Sequence, residues 1–115
     1  MPSGGGTSAG LARVATLRKQ LLADNPNTLT LIGGDFFSPS AMGLAKVDGD
    51  QLAGKSMVAV MNKLGLDYAT FGNHEFDIKK HQFYKRMKES EFGWISSNVF
   101  DESGNMYPGV EKHKV

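Results

Sequence analysis

The stretch LDYATFGNHEFD, residues 66–77, decides the fold class because a short apolar segment runs straight into a polar turn. Residues 66–71 carry the aromatic and β-branched side chains that are typical of a strand. Gly72, Asn73 and His74 follow directly. In α/β proteins, ligands bind beyond the carboxyl ends of the strands of a parallel sheet. The stretch therefore predicts a strand that delivers polar groups to such an edge.

Predicted helices and strands alternate on both sides of this stretch. Apolar residues recur at helical spacing in two places, at Leu11, Val14, Ala15, Leu21 and Leu22 before the turn at 24–27, and at Met57, Val58, Met61 and Leu64 before Gly65. A third helix is predicted over 78–92, and further strands over 28–32, ending at Gly33, Gly34 and Asp35, and over 94–100. Leu29, Leu31 and Ile32 predict that the first strand is buried. This order predicts an α/β fold with mostly parallel strands joined by crossover helices.

Two segments show no clear periodicity. Residues 36–51 contain serine, proline, glycine and aspartate, and are predicted to form a long loop. Residues 101–115 are predicted to be rich in turns. Residues 1–9 are almost devoid of apolar side chains and are predicted to be a flexible leader, so that the domain extends over 10–115.

Composition excludes several classes of site. The chain has 115 residues, 40% of them hydrophobic, and no cysteine, which excludes disulfides and thiolate metal sites. A net charge of +1 gives no general attraction to nucleic acid or anionic membranes, so neither is predicted as a partner. Residues 1–10 lack the features of a signal peptide, and no apolar run approaches the length of a membrane span.

The segment GDQLAGKS, residues 49–56, fits the pattern of a phosphate-binding P-loop. Such a loop needs a buried strand leading into its first glycine, and residues 43–48 do not form a convincing one. The alternative interpretation is that Gly54 opens a helix and Lys55 is solvated on its first turn. We favour this second interpretation.

Asp35 follows the first predicted strand and Asn73 follows the second, so both should lie at the same edge of the sheet. Asp35 offers two hard oxygens that could bridge two divalent cations about 3.5–4 Å apart, as in two-metal phosphate chemistry. Asn73 would add a neutral amide oxygen. His74 could stabilise charge on a phosphoryl group or protonate a leaving oxygen. Asp77 lies three residues later, where it could orient the imidazole and raise its pKa.

Two other interpretations of this segment fit less well. If Asn73 capped a helix, a capping box would place Glu or Gln at the position of Phe76. A zinc-protease motif would need a histidine at the position of Ile78.

The segments GGDFFSPS (33–40), LAGKSMVAVMNKLGLDYATFGNHEFD (52–77) and WISSNV (94–99) resemble the amino-terminal catalytic domain of calcineurin-like metallophosphoesterases. They are most similar to the bacterial 5′-nucleotidase and UDP-sugar hydrolase branch, over about residues 10–100. The resemblance implies a four-layer α/β/β/α sandwich. It also implies hydrolysis of phosphate esters, with nucleotides as the expected substrates, and two divalent metal ions (Mn, Zn, Fe, Co or Mg).

The resemblance also assigns roles to individual residues. Asp35 resembles the metal-bridging aspartate and Asn73 a ligand of the second metal. His74 and Asp77 resemble the catalytic histidine–aspartate pair. Glu75 and Gly72 resemble residues that hold the metal ligands in position without binding the metal themselves.

The chain departs from the family pattern in what it lacks. The Asp-x-His motif of the first family strand and the later Gly-His-x-His motif do not occur in it. We therefore expect a partial catalytic domain, without its first strand and carboxy-terminal half, that needs those parts as partners. Alone it should bind metal weakly and be inactive. The alternative is a non-catalytic module for binding or assembly. The family suggests a periplasmic or extracellular location, but no export signal is visible.

The third predicted helix is basic. It carries Lys79, Lys80, Lys85, Arg86 and Lys88, which are predicted to form a solvated face, while Phe83 and Met87 face the core.

Overall fold

The computed structural model describes residues 8–114, which divide into two units, 8–30 and 31–114. The first unit is built around α1 (Leu11–Asp24), so the helix predicted there is confirmed. It follows Gly10, whose φ of 92° only glycine adopts readily, and it ends where Asn25 N–H donates to the Leu21 carbonyl. The leader predicted for residues 1–9 falls mainly on 1–7, which lie outside the described residues.

The second unit contains the sheet. In chain order it comprises β1 (Leu31–Ile32), α2 (Ala41–Leu44), β2 (Lys46–Val47), β3 (Asp50–Gln51), α3 (Lys55–Leu64), β4 (Tyr68–Ala69), a 3₁₀ turn (Asn73–Phe76), α4 (Lys80–Glu89), β5 (Gly93–Ile95) and β6 (Val110–Glu111). Four strands form one sheet in the order β1-β4-β5-β6, and all three pairings are parallel. The predicted α/β class with parallel strands is confirmed. β6 was not predicted, because its two residues lie among turns.

The first strand does not have the predicted burial. Leu31 is 65% exposed, although it carries the side chain of a core residue. β1 pairs only with β4 among the described strands, so it forms an edge of the sheet. An edge strand has a strand neighbour on one side only, which the apolar pattern of 28–32 does not reveal.

The prediction that residues 36–51 form one long loop is wrong, because this segment contains α2, β2 and β3. Ser40 caps α2 through its Oγ, which accepts the Gly43 amide at 2.9 Å. β2 and β3 then form an antiparallel hairpin. Asp48 and Gly49 have φ of 53° and 84°, so both central residues of the turn are left-handed. Asp-Gly is the pair that such two-residue turns prefer, and this signal was present in the sequence.

An aromatic cluster packs against the helix-facing side of the sheet. The ring of Trp94, on β5, stacks between Phe36 at 5.6 Å and Phe71 at 4.8 Å. Phe36 follows β1 closely and Phe71 follows β4 closely. The stack therefore ties together the two segments that leave the carboxyl ends of these strands.

The basic helix is not simply solvated. Its four lysines at 79, 80, 85 and 88 are exposed as predicted, but Arg86 is only 4% exposed. Arg86 Nη1 donates to the Leu52 carbonyl at 2.6 Å, and its Nε and Nη2 each lie 2.8 Å from a Glu89 carboxylate oxygen. Gln82, also buried, donates to Asp50 Oδ1 at 3.1 Å. α4 thus anchors the hairpin through two buried polar side chains.

Among residues 8–114, none of the helices has the length and apolar character that spanning a lipid bilayer requires.

Candidate metal and phosphate site

The segments that follow β1 and β4 meet at the carboxyl edge of the sheet. A Cβ added at Gly34 would overlap the Gly72 amide, and one added at Gly72 would overlap the Asp35 carboxylate. Only glycine at both positions permits this approach. The parallel pairing of β1 with β4 brings the two segments side by side, and the two glycines let their backbones touch.

Asp35 has an unusual backbone conformation. Its φ is 58°, the left-handed region that few residues other than glycine adopt, and Gly34 before it has φ of 90°. This turn points the carboxylate at the segment after β4, where Asp35 Oδ1 accepts the His74 amide at 3.1 Å. The side chain is otherwise exposed. Such strain persists only where surrounding contacts enforce it, and it is common at functional sites.

The contact that enforces the turn is a fully buried carboxylate. Glu75 is 0% exposed. Its Oε2 accepts the amides of Asp35 at 2.8 Å and Gly72 at 2.7 Å, and its Oε1 accepts those of Phe36 at 2.8 Å and Phe37 at 3.2 Å. Successive amides that converge on one anion form a nest. Because Glu75 fills this nest, those amides are not available to a substrate phosphate.

The role of Glu75 shows where the sequence interpretation was incomplete. A capping box with Asn73 as the capping residue would need Glu or Gln at position 76, but the capping residue is Gly72, one position earlier. Glu75 is then the third residue of the turn and reaches back to the Gly72 amide. The pattern Gly-x-x-Glu in the sequence could have indicated this bond. No sequence pattern near Glu75 indicates its three bonds to the amides of residues 35–37.

His74 and Asp77 lie in direct contact. His74 Nδ1 is 2.5 Å from Asp77 Oδ2, across one turn of the chain. This hydrogen bond is the main cause that raises the pKa of His74 above its ordinary value of 6.5, and the negative charges of Asp77, Asp35 and Glu75 act in the same direction. Partial desolvation opposes the shift. The contact also leaves Nε2 as the ring nitrogen that faces away from Asp77.

The side-chain oxygens at this edge are of the chemical type that binds divalent cations. Asp35 and Asn73 are both exposed and offer hard carboxylate and amide oxygens, which are the ligands that such cations prefer. They are few, however. Within residues 8–114 no group of three or more His, Asp or Glu side chains is arranged to hold a metal ion. Two side chains leave most of a shell of about six ligands to other donors.

The segment that matches the P-loop pattern has a different structure. Gly49 lies in the turn of the hairpin, and residues 50–51 form β3. The Ala53 amide donates to the Gly43 carbonyl at 3.0 Å and the Lys55 amide to the Leu52 carbonyl at 2.8 Å. A Cβ at Gly54 would lie 3.0 Å from Phe37 Cα. The segment is packed against protein, and the amides of Ala53 and Lys55 are bonded internally, so it does not have the structure of a phosphate-binding loop.

His81 and His113, the two histidines outside this site, are exposed. The structure therefore brings together Asp35, Gly72, His74, Glu75 and Asp77, with Asn73 between Gly72 and His74 in the same turn.

Known proteins with a similar sequence are phosphoesterases by name. Trifunctional nucleotide phosphoesterase protein YfkN of Bacillus subtilis is 34% identical over 101 residues, covering 83% of this chain and 7% of that protein. A 5′-nucleotidase of Vibrio cholerae is 30% identical over 98 residues, covering 82% of this chain and 17% of the relative. The chain thus spans less than a fifth of the length of these relatives.

A solved structure has the same fold. The crystal structure of calcineurin-like phosphoesterase YfkN from Bacillus subtilis matches with a TM-score of 0.69 at 29% identity, over 86% of this chain and 31% of that chain. The family model for calcineurin-like phosphoesterases matches residues 7–111, which include every element of the sheet and the whole candidate site. The chain belongs to the calcineurin-like phosphoesterase family.

Proposed function

We propose that this chain contributes to divalent-metal-dependent hydrolysis of phosphate esters, with nucleotides as the substrate class. The observation that carries the proposal is the convergence of Asp35, Asn73 and the His74–Asp77 pair on one edge of the parallel sheet. The names of the relatives, which include a 5′-nucleotidase and a nucleotide phosphoesterase, support nucleotides as substrates.

Each residue has a distinct task in this proposal. Asp35 and Asn73 would hold a divalent metal ion through their side-chain oxygens. Bound divalent cations supply charge neutralisation at the phosphate and lower the pKa of water. Protonated His74, oriented by Asp77 at Nδ1, presents its Nε2 proton to the oxygen of the leaving alcohol. Glu75 and Gly72 act indirectly, because they hold Asp35 and the turn at 73–76 in place.

The raised pKa of His74 suits this role. A general acid must carry its proton at the working pH, and Asp77 favours the protonated imidazole. After proton transfer, the same carboxylate holds the neutral ring in one tautomer, with the proton on Nδ1.

Manganese binding to the chain tests the metal site. Mn²⁺ broadens NMR signals of nearby nuclei, so a titration should broaden the amide signals of residues 34–36 and 72–75 first. Asp35→Asn should remove this effect. Asp48→Asn, on the exposed hairpin turn, is the matched control and should leave it intact.

Inorganic phosphate tests the substrate half of the proposal. Two side chains leave most coordination positions of the cation open, so phosphate oxygens should bind there and increase the affinity for Mn²⁺. His74→Ala should reduce this increase in affinity. Phosphate-independent Mn²⁺ binding would favour a non-catalytic module. Broadening centred elsewhere, or unchanged in Asp35→Asn, would contradict the metal site.

A further inference from the structure

A cavity of about 240 Å³, here called the aromatic pocket, lies where the turn at 73–76, α4 and residues 101–107 meet. Its lining includes the rings of Phe76, Phe83 and Tyr107. The centroids of these rings lie 5.2, 5.8 and 5.1 Å apart, so the rings form one continuous aromatic surface. Phe83 is buried, whereas Phe76 is 41% exposed although Phe83 stacks against it. Large apolar surface that stays exposed beside a cavity marks a candidate binding surface.

The charged groups that line the aromatic pocket are two anions, Asp101 and Glu102, and one cation, Lys80. Asp101 is half-buried and held in place, because its Oδ1 accepts the amides of Ser103 and Asn105 at 2.9 Å. Lys80 Nζ lies 3.7 Å from Glu102 Oε1, and both side chains are largely exposed. Such exposed ion pairs are weak. The lining therefore carries a net negative charge, with Asp101 as its fixed anion.

The electrostatics at Tyr107 agree with this charge balance. Burial is the main cause that raises the pKa of the Tyr107 hydroxyl above its ordinary value of 10.0. The negative charges of ionised Tyr84, Asp101 and Glu102 act in the same direction. The positive charge of Lys80 opposes them. The aromatic pocket thus disfavours a further negative charge and favours a positive one.

Aromatic rings next to a carboxylate suit one kind of cation. Ring faces attract a positive charge within about 6 Å of the ring centroid, and quaternary ammonium groups are recognised in this way. A divalent metal ion prefers about six hard oxygen ligands, and two carboxylates do not provide them. The volume lies below the range of about 300–1,000 Å³ that drug-sized ligands occupy, so the pocket fits a small ion.

We propose that the aromatic pocket binds a small organic cation through a quaternary ammonium group, which lies against Phe76 and Tyr107 and near Asp101. The residues that carry this inference are distinct from those that would hold metal or move a proton in the proposed reaction. The inference therefore does not depend on the proposed function.

Binding of choline to the chain in EDTA tests the pocket. At constant ionic strength, choline should shift the NMR signals of Phe76, Asp101 and Tyr107 in a saturable manner. Ring currents should move the methyl signal of choline upfield. The neutral analogue 3,3-dimethyl-1-butanol has the same shape without the charge and should bind about threefold more weakly, or worse. Phosphocholine, which represents a lipid headgroup, should also bind more weakly than choline, because its phosphate meets the net negative charge of the lining.

Two variants test the contribution of the rings. Phe76→Leu removes a ring and keeps an apolar side chain, so the affinity for choline should fall about threefold. Phe100→Leu is the matched control, because Phe100 is 48% exposed and does not line the aromatic pocket.

Three variants test the charges. Asp101→Asn keeps an oxygen for the two amides but removes the negative charge, so the affinity for choline should fall. Lys80→Met removes a competing positive charge and should raise the affinity about twofold. Lys88→Met, exposed on the same helix and outside the lining, changes the net charge equally and should have no effect. Loss of structure does not produce a gain in affinity, so Lys80→Met stays informative even if another variant fails to fold.

Several outcomes would overturn the cation site. They are a lack of saturable shifts with choline, equal affinities for choline and its neutral analogue, equal effects of Phe76→Leu and Phe100→Leu, and a Lys80→Met variant that binds choline no better than Lys88→Met. Tighter binding of phosphocholine than of choline would overturn the assignment to a free cation in favour of a lipid headgroup.

Discussion

The carboxylate of Glu75 accepts the amide proton of Asp35 at 2.8 Å, although 40 residues separate them in the chain. The same carboxylate holds the Gly72 amide at 2.7 Å. One buried anion therefore fixes the distance between the segment that carries Asp35 and the turn that carries Asn73 and His74. The geometry of the candidate site depends on a residue that is itself fully buried.

Glu75→Gln should destabilise the fold by about 2–3 kcal/mol, because an amide replaces an ionised acceptor of four hydrogen bonds and directs its own donors at backbone amides. Urea unfolding followed by circular dichroism measures the change. Glu102→Gln is the control, since the Glu102 side chain is 90% exposed, and it should stay within about 0.5 kcal/mol of the original. Equal effects of the two substitutions would contradict the role of Glu75 in holding the Asp35 segment and the Gly72 turn together.

Gly72→Ala should both destabilise the chain and weaken Mn²⁺ binding. The added methyl would lie 2.8 Å from the Asp35 amide nitrogen and overlap its carboxylate, so the segment must move at a cost of about 1–3 kcal/mol. Gly33→Ala is a close control, because nothing lies within 4 Å of a Cβ there. If Gly72→Ala matched Gly33→Ala in both measurements, the close approach of the two segments would be wrong.

The pKa of His74 should lie above 6.5 in the metal-free protein, and Asp77→Asn should lower it, because the hydrogen bond to Asp77 is the main cause of the shift. NMR titration of the imidazole signals in EDTA measures both values. A group whose pKa is raised by folding stabilises the folded state fully below its unfolded pKa and loses this contribution as pH rises through its folded pKa. The difference in the free energy of unfolding between the original protein and the Asp77→Asn variant should therefore decrease as the pH rises above 6.5.

Asp48→Asn serves as the control for that titration, since Asp48 lies in the turn of the hairpin and has no hydrogen bond to His74. A His74 pKa that is unaltered by Asp77→Asn, or altered equally by Asp48→Asn, would remove the argument for Asp77 as the orienting residue.

Arg86→Met should destabilise the chain by about 2 kcal/mol, because the Leu52 carbonyl loses its donor in a buried location. Lys85→Met, at the neighbouring position of the same helix, is the matched control. Lys85 is exposed and forms only a 3.7 Å ion pair with Asp50, and such pairs contribute little. Thermal unfolding of both variants checks the difference. A larger loss for Lys85→Met would show that α4 does not anchor the hairpin through Arg86.

The sequence by itself determined the alternation of helices and strands, because apolar periodicity is a local property. Residues 11–24, 55–64 and 80–89 form helices where the spacing predicted them. That alternation implied a parallel sheet, and a parallel sheet places Asp35 and the turn at 73–76 on one edge. The contact between His74 and Asp77 was also predictable, because residues three apart meet on a helical turn.

Only the tertiary structure decided which groups are buried and what they bind. The charged side chains of Glu75 and Arg86 are typical of a surface, yet they are 0% and 4% exposed because distant backbone amides and carbonyls meet them there. Leu31 has the side chain of a core residue and is exposed because β1 is an edge strand. Burial and long-range hydrogen bonds depend on which distant segments of the chain contact one another. The local spacing of apolar residues does not determine those contacts.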